Sequence, residues 1–222
     1  MEKYRVVEKF VSINGEAKAA GELACFIRFA GCNLDCSYCD TKWANGKDVP
    51  YEIISKEDIY NYIKETGVRN VTLTGGEPLI QENIETLIRM LAADKTLRIE
   101  LETNGSVPIA KYADIGDNVV FTLDYKLPGS GMDSHMVTDN YIYIGKKDAV
   151  KFVVSDKHDL DCARDIINRF HLDEITTVYL SSSFSRIEPR DIVDYMIEHG
   201  MNRVKLQLQL HKYIWEPDKK GV

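Results

Sequence analysis

The sequence predicts an α/β fold, either a barrel or an open doubly wound sheet, because strand-like apolar runs alternate with helix-like segments. Most of these runs are apolar at successive positions, as expected of parallel strands that helices cover. The predicted strands span residues 23–30, 70–74, 97–102, 118–124, 149–154, 176–180 and 203–208. Both architectures place functional residues at the C-terminal ends of strands, so such residues are expected in the segments that follow.

Helix signals stand between the strands. Ser55 is a candidate N-cap, with Asp58 three residues later and apolar residues at helical spacing behind it. Residues 81–93 repeat apolar side chains at helical spacing, and residues 188–199 have a proline near the start and a glycine just after the end. These signals place helices in the connections, as the α/β interpretation requires.

Length and composition indicate one globular domain. The 222 residues are 44% apolar and 28% charged, without repeats, low-complexity segments or linkers, so a single domain over residues 1–222 is expected. The net charge of −7 argues against nucleic acid or an anionic membrane as partner, while a locally basic pocket for a small anion remains open. With no apolar run of about 20 residues and no signal-peptide segment, we expect the cytoplasm.

Three of the five cysteines follow the first predicted core strand within eight positions, at Cys32, Cys36 and Cys39. Disulfides are rare in reducing compartments, so this grouping indicates a metal site. Each thiolate can hold one corner of an iron–sulfur cube, which leaves the fourth iron without a protein ligand. The alternatives are a zinc site completed by a distant residue and a closed electron-transfer cluster, although no histidine lies nearby to complete a zinc site. Cys25 and Cys162 fall in a strand and a helix pattern and are interpreted as structural.

Glycines and charged residues follow the next strands. Gly75 and Gly76 end the second core strand, where the absence of side chains lets the backbone approach a ligand, and Glu77 comes next. The glycines alone are also compatible with a simple turn. Glu102 ends the third strand, where a carboxylate can accept hydrogen bonds from ribose hydroxyls.

Asp124 and Lys126 end the fourth strand. Lys126 could meet a ligand carboxylate, whereas the plainer interpretation is a surface ion pair between these two residues. All of these motifs fall at strand C-termini, where the fold class expects them.

The cysteine spacing and the Gly-Gly-Glu-Pro motif together resemble the radical S-adenosylmethionine superfamily. The resemblance implies a partial (β/α) barrel of about six parallel strands and a 4Fe–4S cluster whose open iron binds S-adenosylmethionine. It implies that an electron from the cluster cleaves the sulfonium to give a 5′-deoxyadenosyl radical. It also implies that the backbone of the motif and the Glu77 carboxylate receive the methionine amino group. Glu102, Asp124 and Lys126 then match contacts to the nucleoside and methionine.

Features at both ends of the chain resemble the 7-carboxy-7-deazaguanine synthases, enzymes of queuosine-type deazapurine biosynthesis. The matching segments are residues 10–16, 26–29, 39–41 and 209–215. The resemblance implies conversion of 6-carboxy-5,6,7,8-tetrahydropterin into 7-carboxy-7-deazaguanine with loss of ammonia, and with S-adenosylmethionine regenerated. It further implies Mg²⁺ beside the substrate with Thr41 as a ligand, a flavodoxin or ferredoxin as reductant, a homodimer, and a C-terminal lid over residues 215–222.

Candidate substrate residues follow from these segments. Arg28 lies on a strand face with apolar residues and needs an anionic partner, either a protein carboxylate or, as we expect, the substrate carboxylate. Glu16 is a candidate acceptor for the pterin edge with Asn14 beside it, although it could also be an ordinary turn residue. His211 is the candidate catalytic residue, as a donor to the substrate or a proton carrier, and a packed histidine is the alternative.

The chain departs from the family pattern at three places. Asn14 stands where Gln is common, Tyr38 where Trp is common, and Asp124-Tyr125-Lys126 where many members have Ser-Pro-Lys. The last difference is shared with activases of glycyl-radical enzymes, which makes such an activase the alternative enzyme. A non-catalytic iron–sulfur or zinc-binding module is the alternative from a different class.

Overall fold

The computed structural model of this chain describes residues 2–46, 48–217 and 219–222. Within them, nine strands form a single open sheet. The strands are β1 (Lys3–Ile13), β2 (Leu23–Phe29), β3 (Glu52–Ser55), β4 (Asn70–Gly75), β5 (Arg98–Thr103), β6 (Val119–Tyr125), β7 (Ala149–Val154), β8 (Thr177–Ser182) and β9 (Val204–Gln207). Their order across the sheet is β3-β1-β2-β4-β5-β6-β7-β8-β9, so the partial barrel does not close.

The seven strands from β2 and from β4 through β9 pair in parallel. They coincide within two residues at either end with the seven predicted strands, which confirms the α/β prediction and the partial barrel. β1 is antiparallel to both β2 and β3 and extends the sheet beyond the parallel strands. Neither β1 nor β3 was predicted as a strand.

The helices pack on one face of the sheet. Within the described residues they are α1 (Lys56–Thr66), α2 (Ile84–Ala93), α3 (Lys157–Phe170), α4 (Leu172–Ile175), α5 (Pro189–Glu198) and α6 (His211–Ile214). Alternate strand residues such as Ile27, Leu73 and Leu101 join apolar helix residues in one buried cluster. No helix in the described part of the chain is long and apolar enough to cross a membrane.

The other face of the sheet is polar, although it is also buried. Thr72, Glu100, Thr122 and Lys151 point away from the helix layer and are at most 9% exposed. This differs from the expectation of strands apolar on both faces. The reason is that each side chain has a polar partner. Thr122 donates a 2.7 Å hydrogen bond to Glu100, Thr72 donates one of 2.8 Å to Asn14, and Lys151 donates one of 3.2 Å to Glu16. Buried polar groups are tolerated where they are hydrogen-bonded.

Predicted helix signals occur where expected. Ser55 caps α1: its Oγ accepts a 3.1 Å hydrogen bond from the Asp58 main-chain N–H and donates one of 2.6 Å to the Asp58 carboxylate. Pro189 begins α5, and Gly200 follows its end with a φ of +59°, which favours glycine. These caps fix the ends of helices whose neighbouring strands carry the cavity described below.

Removing the α1 cap should destabilise the protein measurably. Ser55→Ala leaves the Asp58 N–H without its side-chain acceptor and should lower the free energy of unfolding by about 1 kcal/mol. Urea denaturation with an unchanged slope would measure this loss. Ser134→Ala is the control, because Ser134 is exposed and should leave the midpoint unchanged. Equal midpoints for both variants would contradict the assigned cap.

Candidate active site

A cavity of about 640 Å³ opens at the C-terminal ends of the parallel strands. Every candidate site residue from the sequence lines it, except Asn14 and Glu77. The residues brought together are Glu16, Arg28, Cys32, Cys36, Cys39, Thr41, Gly75, Gly76, Glu102, Asp124, Lys126 and His211. They come from six strands or the loops that follow them, so only the folded chain assembles the site.

The cysteine loop is braced by neighbouring loops at one end of the cavity. Ser37 donates a main-chain hydrogen bond of 3.0 Å to the Ser130 carbonyl and a side-chain one of 2.7 Å to the Gly129 carbonyl. Asn104 donates to the Asn33 side chain at 3.1 Å. Cys32 and Cys39 are half-buried and Cys36 is buried, and all three line the cavity. The loop therefore presents three thiols from a fixed backbone.

The Gly-Gly-Glu-Pro turn packs against the root of this loop. A Cβ on Gly76 would overlap the Gly31 carbonyl, and one on Gly75 would overlap the backbone of Phe29. Gly75 also has a φ of +143°. The glycines are thus required by close contact between two strand ends, a reason that the sequence pattern did not indicate. Both still line the cavity with exposed main chain.

Glu77 lies behind the cavity wall and is fully buried. Its carboxylate accepts hydrogen bonds from the Leu79 N–H at 3.0 Å, the Thr103 hydroxyl at 2.8 Å and the Asn104 N–H at 2.7 Å. Burial raises the pKa of Glu77 to about 7, and these donors oppose the rise. The carboxylate ties the turn to the end of β5, so ligand contacts of this motif are left to its main chain.

Lys151 is the hub of an ionic network on the floor of the cavity. Its ammonium lies 3.2 Å from Glu16 and 3.4 Å from Asp124, and Asp124 also pairs with Lys126 at 2.9 Å. These four side chains are only 11–18% exposed. The pair of Asp124 and Lys126 is therefore internal, not the surface ion pair considered from the sequence.

Charge attraction outweighs burial in this network. Burial opposes ionisation of Asp124, yet Lys126 and Lys151 hold its pKa below the usual value. Burial likewise disfavours charge on Lys151, but the surrounding carboxylates raise its pKa well above the ordinary range. One Asp124 oxygen, Oδ1, is buried without a hydrogen-bond partner among the described residues.

Glu102 projects into the cavity from the end of β5. Burial raises its pKa to about 7, against the pull of Lys151 in the opposite direction. The carboxyl group is therefore able to exchange a proton near neutral pH. Its position is suited to accept a hydrogen bond from a ligand hydroxyl.

Aromatic and basic residues form the end of the cavity that β1 and β2 contribute. Phe10 and Phe26 stack with centroids 4.9 Å apart, and both line the wall. Arg28 donates from Nε to Glu8 at 3.1 Å, and its guanidinium carbon lies 6.0 Å from the centre of the Trp43 ring. The protein carboxylate considered as a partner for Arg28 is therefore present, while the guanidinium still borders the cavity.

Glu16 accepts hydrogen bonds from Ser181 at 3.1 Å, Lys151 at 3.2 Å and Gln209 at 3.2 Å. His211 borders the same space, and burial lowers its pKa. Asn14, by contrast, is 2% exposed behind the wall and accepts from Thr72 at 2.8 Å. The structure thus brings Glu16 and His211 together and leaves Asn14 beneath them.

The tail and the loop after the cysteines complete the rim. Thr41 lines the cavity with its hydroxyl 3.5 Å from the Cys39 sulfur. Lys220 lies 3.9 Å from the Trp43 ring centre, a cation–π distance. Of the predicted lid, Pro217 and residues 219–222 border the cavity, whereas Trp215 and Glu216 do not. Asp218 lies outside the described residues.

Comparison with known proteins identifies the family. Residues 26–125 match the Radical SAM superfamily. The 7-carboxy-7-deazaguanine synthase of Clostridium acetobutylicum is 55% identical over 219 residues, which cover 99% of each chain. That of Chlorobaculum tepidum is 32% identical over 98% of this chain and 96% of its own. The chain belongs to the 7-carboxy-7-deazaguanine synthase family. The crystal structure of QueE from Escherichia coli shares its fold, with a TM-score of 0.73 over 93% of both chains at 23% identity.

As a member of the 7-carboxy-7-deazaguanine synthase family, the chain is a radical S-adenosylmethionine enzyme, which sets aside the non-catalytic binding module. The family implies a 4Fe–4S cluster, and the cysteine loop fits one. No group of three His, Cys, Asp or Glu residues among those described converges on a single ion. A cluster instead needs thiolates spread over separate iron atoms, as on this loop. Burial raises the pKa of the Cys36 thiol to about 11, and coordination would replace that proton.

Sequence reasoning missed several cavity residues of this synthase-family chain, above all Lys151 and Glu8. A signal for Lys151 was present, because it is the one charged residue of the otherwise apolar run Ala149–Val154. Like Arg28, this lysine carries a charge within an apolar strand pattern and therefore needs a partner of opposite charge. Glu8 had no such signal, because its strand was not predicted.

The contact between the two strand ends gives a testable consequence. Gly76→Ala should lower the free energy of unfolding by about 1–3 kcal/mol, because the added methyl group overlaps the Gly31 carbonyl. Thermal unfolding would show this as a lower Tm. Gly145→Ala is the matched control, since a Cβ there meets no described atom within 4 Å. A Gly76→Ala protein that melts with wild type would refute the contact.

Proposed function

We propose that this chain converts 6-carboxy-5,6,7,8-tetrahydropterin into 7-carboxy-7-deazaguanine with release of ammonia, using S-adenosylmethionine catalytically. One observation carries the proposal. In a chain of this family, the cysteine loop and the candidate substrate residues Arg28 and Glu16 line the same cavity. The radical source and the pterin must lie in contact for hydrogen abstraction, and a shared cavity permits that. A volume of about 640 Å³ lies within the range of small-molecule sites.

Cofactor binding is assigned to the cysteine loop and the strand ends beside it. Cys32, Cys36 and Cys39 hold the 4Fe–4S cluster. When bound, the reduced cluster and S-adenosylmethionine supply a 5′-deoxyadenosyl radical that abstracts hydrogen from the substrate. The main chain at residues 75–76 receives the methionine amino group. Glu102, Asp124 and Lys126 bind the nucleoside and methionine carboxylate, and their position on the cavity wall supports this role.

Substrate binding is assigned to the part of the cavity that β1, β2 and the segments after β1 and β9 contribute. Arg28 binds the substrate carboxylate through its guanidinium fork. Glu16 has three of its roughly four acceptor positions occupied by protein donors, which leaves one for a pterin N–H. His211, whose pKa is lowered by burial, is neutral near pH 7 and can hold or accept a proton at the ring. Asn14 supports the Glu16 segment from beneath.

Further parts of the proposal rest on the family. Mg²⁺ beside the substrate is bound in part by the Thr41 hydroxyl, since this ion prefers oxygen ligands and retains water. A flavodoxin or ferredoxin reduces the cluster. The protein acts in the cytoplasm as a homodimer, with each chain a single domain over residues 1–222 and a C-terminal lid.

The defining experiment is an anaerobic assay of iron-reconstituted protein with reductant, S-adenosylmethionine, Mg²⁺ and 6-carboxytetrahydropterin. We expect mass spectrometry to detect 7-carboxy-7-deazaguanine over many turnovers, without a matching amount of 5′-deoxyadenosine, because the cofactor is regenerated. Formation of 5′-deoxyadenosine with no deazapurine would contradict the substrate assignment and favour the glycyl-radical activase. Omission of the pterin is the control for uncoupled cleavage.

Iron content tests the cluster ligands separately. Cys36→Ala should lower iron well below the roughly four atoms per chain expected of a 4Fe–4S protein, because one corner of the cube loses its thiolate. Cys162→Ala is the matched control: that thiol lies on α3 beside His158, outside the cavity, and its loss should leave iron unchanged. Equal iron in both variants would contradict the assigned ligand set.

A further inference from the structure

We propose that Glu8 is a positioning residue for substrate recognition, which holds Arg28 by one edge so that its other edge faces the substrate carboxylate. The inference deepens the proposed function and rests on it. Glu8 belongs to none of the motifs that the sequence indicated. It lines the cavity directly beside Arg28.

An irregularity in β1 brings Glu8 to this place. The pairing of β1 with β2 shifts by one residue between Val6, which faces Phe29, and Glu8, which faces Arg28. Side chains alternate along a regular strand, so Val6 and Glu8 would otherwise share one face. The bulge reverses the alternation: Val6 packs into the apolar core, whereas Glu8 enters the cavity wall. The same irregularity thus completes the core and delivers a carboxylate to the site.

The contact geometry selects one edge of the guanidinium. Glu8 Oε1 accepts from Arg28 Nε at 3.1 Å, and among the described residues this is the one hydrogen bond that the Arg28 side chain makes. The two terminal nitrogens remain for a ligand, and they form the planar pair of donors that matches a carboxylate. The Trp43 ring lies beside the guanidinium carbon and limits its movement. Side-chain exposures of 16% and 19% keep Arg28 and Glu8 largely out of bulk water.

The hydrogen bond and the charge of Glu8 have opposite effects on an anionic ligand. Its negative charge repels a second carboxylate, whereas its acceptor oxygen fixes a long, flexible side chain before the substrate arrives. Fixing such a chain in advance removes an ordering cost from binding. Only the terminal nitrogens of Arg28 need to be free to bind a carboxylate, so we assign Glu8 the role of fixing the Arg28 side chain. A glutamine at position 8 keeps an acceptor oxygen without the charge, so it should hold Arg28 as the glutamate does.

Calorimetric titration tests this assignment. The holoenzyme is first saturated with S-adenosylmethionine, under anaerobic conditions and without reductant, and is then titrated with a pterin. The ligands are 6-carboxytetrahydropterin and tetrahydropterin, which lacks the carboxylate. Glu8→Leu should raise the Kd of the carboxylated ligand roughly threefold to tenfold, the cost of ordering one side chain. It should leave the Kd of tetrahydropterin unchanged. Glu8→Gln should bind both ligands within about twofold of wild type.

The control variant is Glu52→Leu. It breaks the exposed ion pair between Glu52, on β3, and Lys9, which lies on β1 next to Glu8. It should bind both pterins as wild type does. Equal weakening for the two ligands in Glu8→Leu would overturn the proposal, because Glu8 would then only shape the cavity. A Glu8→Gln protein as weak as Glu8→Leu would also overturn it. Wild type that binds neither pterin would refute the proposed function itself, and the positioning role with it.

Discussion

The buried ion network centred on Lys151 is the interaction on which the rest of the site depends. It joins Glu16, from the turn after β1, to Asp124, at the end of β6, through one ammonium group of β7. Removing one partner of such a network leaves an unpaired charge in a poorly solvated place, which typically costs about 3–5 kcal/mol. The network therefore fixes the distance between the strand end that carries Asp124 and the turn that carries Glu16, the proposed cofactor and substrate contacts.

The polar face of the sheet, opposite the helices, needs shelter that apolar packing does not provide. Apolar packing on the helix side accounts for the core, but it cannot hide Glu100, Thr122 and Lys151 on the opposite face. Those groups are sheltered because the segment after β1 lies across this face, where Asn14 contacts Thr72 and Glu16 contacts Lys151, and because each finds a polar partner.

The sequence allowed the parallel strands and the cluster loop to be predicted, because each leaves a local signal. Apolar runs such as Ala149–Val154 and the spacing of Cys32, Cys36 and Cys39 are visible without the fold. β1 was missed because its bulge breaks the alternation by which strands are recognised. The contact between Gly76 and Gly31 could not be inferred either, since it joins strand ends 45 positions apart that only the folded sheet brings together. What escaped prediction is therefore what depends on pairing between distant segments.

The charge of the cavity reconciles an acidic chain with anionic ligands. The chain carries 35 Asp and Glu residues against 28 Lys and Arg. Among the described residues, the cavity wall reverses this balance, with eight Lys and Arg side chains against five Asp and Glu. A concave, partly desolvated wall strengthens the attraction of such a surplus for anions. The acidic outer surface therefore does not oppose binding of a pterin carboxylate and a methionine carboxylate. In the proposed binding mode, position distinguishes the two carboxylates, since Arg28 lies on β2 and Lys126 follows β6.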